Sequence, residues 1–206
     1  MPPHPADATA KPLGLRERKK AQTRQAIRAA AYRLFAAQGY DGTPIDQIAA
    51  AADVSPSTVF RYFPTKEDIV LTDEYDEPMA DVLRGRPLDE QPLASVRYVL
   101  HEMVRDVLDD PEMWAEMIQR QELIRDVPAI RARSTESMSA TGRLFGGIIA
   151  ERTGRAADDL QVRVFTAAVF SVLHETSLYW VEHGRAEDFS PLLDRTLGML
   201  KKGLDF

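Results

Sequence analysis

Two hydroxyl–proline pairs, Thr43-Pro44 and Ser55-Pro56, constrain this chain more than any other feature. A short hydroxyl followed by proline is a helix-start signal. The hydroxyl takes up a free backbone N–H, and proline has none to leave unpaired in the first turn. The first pair opens a segment with the apolar stripe Ile45, Ile48, Ala49 and Ala52. The second opens STVFRYF, which Pro64 stops. Asp53-Val54 makes the turn between them, and aspartate tolerates the left-handed backbone a tight turn can require. Two short helices so joined read as a helix-turn-helix, with the second as the recognition helix.

The flanking segments are helical too. Ahead of the pair, Ile27, Ala31, Leu34 and Phe35 fall on one helical face, and Gly39 stands at the expected stop. The first turns of that helix are basic, with Arg16, Arg18, Lys19, Lys20, Arg24 and Arg28. Thr65 reads as the cap of the next helix, whose dipole favours Glu67 and Asp68 in its first turn. Pro78 is expected to kink that helix before a loop at 85–92. Helices are expected at about 93–108, 112–125, 128–153, 158–184 and 189–203. No alternating strand pattern with turn signals occurs, so the expected fold is all-α. Its organisation is a disordered proline-bearing tail over 1–14, a helix-turn-helix domain over 15–66 and a larger helical domain over 67–206.

Charge supports a nucleic-acid partner despite a net charge of −6. Residues 1–66 carry ten Lys/Arg against five Asp/Glu, a net of +5, whereas residues 67–206 carry sixteen against twenty-seven, a net of −11. A basic head on an acidic body suits DNA binding with little non-specific adhesion. On the recognition helix, Val54, Val59 and Phe63 form the expected buried side, and Phe60 is also expected in the core. That leaves Ser57, Thr58, Arg61 and Tyr62 outward, after Ser55 and Pro56, as candidates for base edges and phosphates in a major groove. Arg16, Lys19 and Lys20 are candidate phosphate contacts, which add affinity without sequence choice.

The stretch from Arg24 to Ile69 resembles the DNA-binding domain of the TetR family of bacterial regulators. The resemblance is carried by Phe35 with Gly39-Tyr40, Thr43 before Ile48-Ala49, Val54-Ser55, and Phe63-Pro64-Thr65-Lys66-Glu67. It implies an all-helical protein of about nine helices, three of them in the reading head. It further implies a repressor that dimerises through its last two helices and binds a palindromic operator in double-stranded DNA. A small-molecule effector in the C-terminal domain would shift the helix that starts near Lys66 and release the DNA. By the same resemblance Thr43 and Lys66 fall where the family contacts phosphates. Asp53 stands where glycine is usual, Ser57 replaces a frequent glycine, and Phe60 replaces a frequent tyrosine. The combination of GLRERKK, FRYFPTKED and ERTGR with DDLQVRV is also similar to actinobacterial members linked to acyl-CoA-like ligands.

In the second domain, Met103, Met113, Trp114, Met117 and Ile118 are candidate walls of an effector pocket. Phe145, Phe165, Phe170, His174 and Tyr179 join them from later helices, with His174 beside Glu175 as the orienting polar group. The same residue types also describe a helix-bundle core, and for any single residue that is the more frequent role. Gly142, Gly146 and Gly147 inside one helix are costly there. They allow close packing, a bend or room for a ligand. Leu178, Trp180, Val181, Leu192, Leu193, Leu197 and Leu200 suit either a dimer interface or burial within the chain.

Catalysis has no motif behind it. Thr176 follows His174-Glu175, but position 178 is Leu, so the second histidine of a zinc protease helix is missing. His4, His101, His174 and His183 show no i,i+4 pairing, GRLFGGII lacks the lysine of a phosphate loop, and no GxSxG occurs. The absence of cysteine excludes disulfides and thiolate chemistry. No cofactor, metal or enzymatic activity is expected. With no secretory signal and no apolar run near the ~20 residues of a membrane helix, a cytoplasmic, membrane-free protein is expected.

Overall fold

The computed structural model describes residues 14–72 and 76–203, so most of the expected 1–14 tail lies outside the described residues. The described residues form ten α-helices and no strand. The chain divides into two compact units, Met1–Thr65 and Lys66–Phe206.

The first unit contains α1 (Leu15–Gln38), α2 (Ile45–Ala51) and α3 (Pro56–Tyr62). Ile27, Ala31 and Phe35 of α1 are buried, as are Ile48 and Ala49 of α2, and Val59 and Phe63 in and after α3. The turn between α2 and α3 places Asp53 at φ 54°, in the left-handed region, while the Val54 N–H donates to the Ala49 carbonyl at 3.0 Å. Ser55 caps α3: its Oγ accepts the Thr58 N–H at 3.1 Å, with Pro56 in the first turn.

Thr43 departs from the expected cap. The N-cap of α2 is Pro44, without a side-chain bond. The Thr43 hydroxyl instead donates to the Gly39 carbonyl at 2.7 Å and accepts from Gln38 Nε2 at 3.2 Å. Carbonyls at a helix end have no partner within the helix, and the end of α1 lies within the hydroxyl's reach.

The second unit is built from α4 (Lys66–Leu71), α5 (Asp76–Arg84), α6 (Pro92–Asp109), α7 (Pro111–Asp126), α8 (Pro128–Thr153), α9 (Leu160–Glu182) and α10 (Phe189–Lys202). Pro78 does not kink one helix, as expected from the sequence. It sits in the first turn of the separate helix α5, where its missing N–H leaves no bond unmade. With α4 and α5 distinct, the described helices number ten rather than about nine.

The core joins α5, α6, α8, α9 and α10 through residues such as Leu83, Leu100, Phe145, Phe170, Trp180 and Leu193. Phe145 meets Phe170 edge-on, and Trp180 meets both Trp114 and Phe189 in the same manner. α9 is long and apolar enough by composition to cross a membrane, but Val162, Val169, Phe170, Trp180 and Val181 are buried in this core.

The three α8 glycines divide by role. A Cβ on Gly146 would lie 3.6 Å from Thr166 and 3.7 Å from Val162, and one on Gly142 would lie 3.8 Å from Phe170. At both positions α8 faces α9 with room for a methyl at ordinary van der Waals distance. A Cβ on Gly147 would meet nothing within 4 Å.

Polar ties hold the ends of the bundle. Arg152 donates to the carbonyls of Leu83 at 3.3 Å, Arg86 at 2.6 Å and Pro87 at 2.5 Å, and to Ser95 Oγ at 3.2 Å, fastening the α5–α6 loop to α8. Beside it, hydrogen bonds from Arg86 and Ser95 hold the Glu90 carboxyl down at about 2. Arg133 of α8 reaches Asp68 of α4, with Nε 3.0 Å from Oδ1.

Candidate nucleic-acid face and ligand cavity

α3 presents one polar and one apolar side. Val59 and Phe63 are completely buried, whereas Ser55, Pro56, Ser57 and Arg61 are exposed, and Thr58 and Tyr62 are half-buried. The three hydroxyls form a cluster, with Ser55 Oγ 2.9 Å from both Ser57 Oγ and Thr58 Oγ1. The Arg61 guanidinium carbon lies 5.3 Å from the centroid of the Tyr62 ring, close enough for a cation–π contact. Hydroxyls that both donate and accept, next to an arginine, are chemically suited to base edges and phosphate oxygens.

Other residues expected at this face have different settings. Arg16, Lys19 and Lys20 are exposed in the first turns of α1. Thr43 is 0% exposed, with its hydroxyl turned to the end of α1. Lys66 is the first residue of α4, in the second unit. Phe60, expected in the core, is instead 51% exposed. Val59 and Phe63 take the buried places of so short a helix, and the ring at position 60, just past its edge, stands in solvent.

The second unit contains a partly open cavity of about 200 Å³. Its wall is methionine-rich: Met79, Met103, Met113, Met117 and Met138 all contribute, five of the seven methionines in the chain. Trp114, Phe170 and Phe189 add rings, and Leu71 adds the end of α4. Polar groups are few and include Asp76, Glu116, Arg120, His174 and several hydroxyls. Asp76 Oδ2 accepts from the Thr141 hydroxyl at 2.9 Å, and Arg120 Nη2 donates to the Leu71 carbonyl at 3.3 Å. Burial pushes the His174 pKa down, against the opposing influence of Glu175, which favours the neutral imidazole. An apolar wall with sparse polar groups holds a small organic molecule by burial and orients it by hydrogen bonds.

Of the expected lining residues, the structure brings Met103, Met113, Trp114, Met117, Phe170 and His174 to this cavity. Phe145 is buried in the core against Phe170, Phe165 is partly buried against that core, and Tyr179 is 45% exposed and stacked on His183. Sequence reasoning missed Met79, Met138, Asp76, Glu116, Arg120 and Phe189. Helical spacing carried a signal for some of them: Met113, Met117, Arg120 and Ile124 recur on one face of α7, and Ser134, Met138 and Thr141 on one face of α8. Among the described residues no cluster of three or more His, Asp or Glu is placed to hold a metal ion.

In the last two helices the residues that suit an interface or the interior divide between the two settings. Trp180, Val181, Leu192, Leu193 and Leu197 are buried within the chain, where α9 packs on α10 and the core. The outward stripe of α9 is a different set: Leu160, Val164, Ala167, Ser171, Glu175 and Tyr179, spaced three or four residues apart. On α10, Met199 is exposed.

Comparison with known proteins places these features in context. Residues 27–72 match the family described as "Bacterial regulatory proteins, tetR family", and residues 90–205 match "MftR C-terminal domain". The chain is 36% identical over 168 residues to the HTH-type transcriptional regulator TcmR of Streptomyces glaucescens, covering 78% of this chain and 73% of that protein. It is 24% identical over 183 residues to the fatty acid metabolism regulator protein of Bacillus subtilis, covering 85% and 92%. Among solved structures, native NalD of Pseudomonas aeruginosa, a secondary repressor of a multidrug efflux pump, is similar with a TM-score of 0.59 at 20% identity, covering 89% and 97%. Thermus thermophilus FadR in complex with lauroyl-CoA is similar with a TM-score of 0.55 at 22% identity, covering 89% and 95%.

Proposed function

Because this chain belongs to the TetR family of bacterial transcriptional regulators, we propose that it is a ligand-responsive repressor that binds a palindromic operator as a homodimer. The observation that carries this reading is the place of Leu71. It closes α4 and also forms part of the cavity wall, and α4 follows the reading head in the chain after Phe63-Pro64-Thr65. A molecule filling the cavity presses on α4 through Leu71 and through the Arg120 bond to the Leu71 carbonyl. A shift of α4 then re-aims the reading head, and the two heads of a dimer lose the spacing of their half-sites.

The proposed effector is lipophilic, since the wall is methionine and aromatic, and it carries a polar end to meet Arg120, His174 or a carboxylate. Acyl-CoA thioesters are the first class to try, given the fatty acid metabolism regulator among the relatives. The DNA-reading residues proposed are Ser55, Ser57, Thr58, Arg61 and Tyr62, with Pro56 shaping the start of α3. Arg16, Lys19, Lys20 and Lys66 supply phosphate contacts, and Thr43 braces the end of α1 from inside. The dimer is proposed through the outward stripe of α9 with Met199 of α10.

The test is selection of DNA from a random-sequence pool, followed by gel shifts of the enriched DNA with candidate effectors. The reading expects a two-fold symmetric site with half-sites about one helical turn, or a multiple, apart, and a shift abolished by a lipophilic compound. No enriched sequence refutes operator binding. A shift that no acyl-CoA or other lipophilic compound abolishes refutes ligand release and leaves a constitutive or protein-partnered DNA-binding protein.

A further inference from the structure

We propose that Phe60 is a sequence-reading residue that packs on the 5-methyl groups of thymines in the major groove, an inference that rests on the operator-binding reading. Successive residues of an α-helix are rotated by about 100°. On α3 the exposed residues Pro56, Ser57, Phe60 and Arg61 therefore fall within an arc of roughly 140°, with Ser57 and Phe60 at its middle. Val59 and Phe63 fall outside this arc and are completely buried. Phe60 is thus central to the outward face of the recognition helix.

A half-exposed phenyl ring forfeits the burial that stabilises Phe63 next to it in the same unit. Its neighbours on that face are hydroxyls and a guanidinium, and residues 1–66 carry a net charge of +5, so the complementary surface is a polyanion. Duplex DNA is a polyanion with one apolar group at its base edges, the thymine methyl, which lies in the major groove. Phenylalanine has no hydroxyl to offer a phosphate. Its affinity is therefore for that methyl, and unlike a phosphate contact it carries sequence information.

The experiment compares selected operator DNA made with thymine against the same DNA made with deoxyuridine, which differs by the methyl group alone. Burying one methyl corresponds to about fourfold in affinity, so loss of one thymine contact in each of two half-sites is expected to weaken wild-type binding by about tenfold or more. Phe60→Ala should bind both DNAs equally with its thermal unfolding unchanged, and Phe60→Leu should keep part of the discrimination. Equal wild-type binding to both DNAs overturns the proposal and leaves operator binding intact. So does a Phe60→Ala protein that retains the full thymine preference. Failure to enrich any DNA removes the operator reading, and this proposal with it.

Discussion

Gly146 and Gly147 are neighbours in sequence with opposite surroundings, and alanine scanning of the pair measures how closely α8 approaches α9. Both lie well inside the helix Pro128–Thr153, where glycine is less favourable than alanine by about 1 kcal/mol. At Gly147 the new methyl meets nothing within 4 Å, so Gly147→Ala is expected to stabilise by about 1 kcal/mol. At Gly146 the new Cβ lies 3.6–3.7 Å from Thr166 and Val162, ordinary van der Waals contact, and part of a buried methyl is added to the helix gain. Gly146→Ala should therefore stabilise by about 1.5 kcal/mol. Gly146→Leu has no room for its further carbons against Thr166 and Val162 and should destabilise by about 2 kcal/mol. Urea titration followed by tryptophan fluorescence is the assay, because Trp114 and Trp180, the two tryptophans of the chain, both belong to the second unit. The midpoint should move and the slope should not. Destabilisation by Gly146→Ala would mean that α8 and α9 pack more closely than described and would refute the spacing on which the estimate rests.

Three further outcomes are expected. Arg61→Ala should weaken operator binding by about 1–3 kcal/mol in a gel-shift titration, and unchanged affinity would remove Arg61 from the reading face. His174 has its pKa lowered by burial, so the unfolded chain takes up a proton there before the native one does. The stabilising contribution of the neutral ring is present above the ordinary histidine range and is lost as pH falls from there through the native pKa. His174→Gln should flatten the fall in urea midpoint over that window, and an unaltered pH profile would contradict the buried setting. Arg152→Lys keeps the charge but loses the fork that spans three carbonyls and Ser95, so it should cost about 2 kcal/mol in the same unfolding assay; a neutral result would mean the α5–α6 loop is held by other contacts.

What the sequence made legible was local. The Ser55 cap, the left-handed Asp53 and the ends of α6 to α10 follow from residues within a turn of one another, and the structure shows each near its expected place. Thr43 also bonds locally, to the Gly39 carbonyl four residues back, but a hydroxyl between two helices can serve the end of one or the start of the next, and the residue pattern does not say which. Residue type alone places Phe60 in the core, but a seven-residue helix has one buried side, and Val59 with Phe63 already supplies it. In the second unit Phe145 and Met138 both lie on α8, one in the core and one on the cavity. Which residue serves which role depends on how α8 is turned against α7 and α9, and no single helix carries that information. For the same reason Trp180, Val181 and the leucines of α10, which the family resemblance favours for an interface, are found in the interior of the chain.

A wall built from methionine has a consequence for discrimination. Each of these side chains turns about three bonds at little cost, so the outline of the cavity follows its occupant instead of imposing a shape upon it. Lengthening an occupant by one carbon then alters its fit gradually, and a homologous series should show a graded potency with no sharp cut-off. The fixed elements are the rings of Trp114 and Phe170 and the few polar groups, which makes the position of a molecule's polar end, more than its contour, the property that the chain can distinguish. If the proposed ligand response holds, a new chemical signal would be met by changing a polar group of the wall, with its pliable part left as it is.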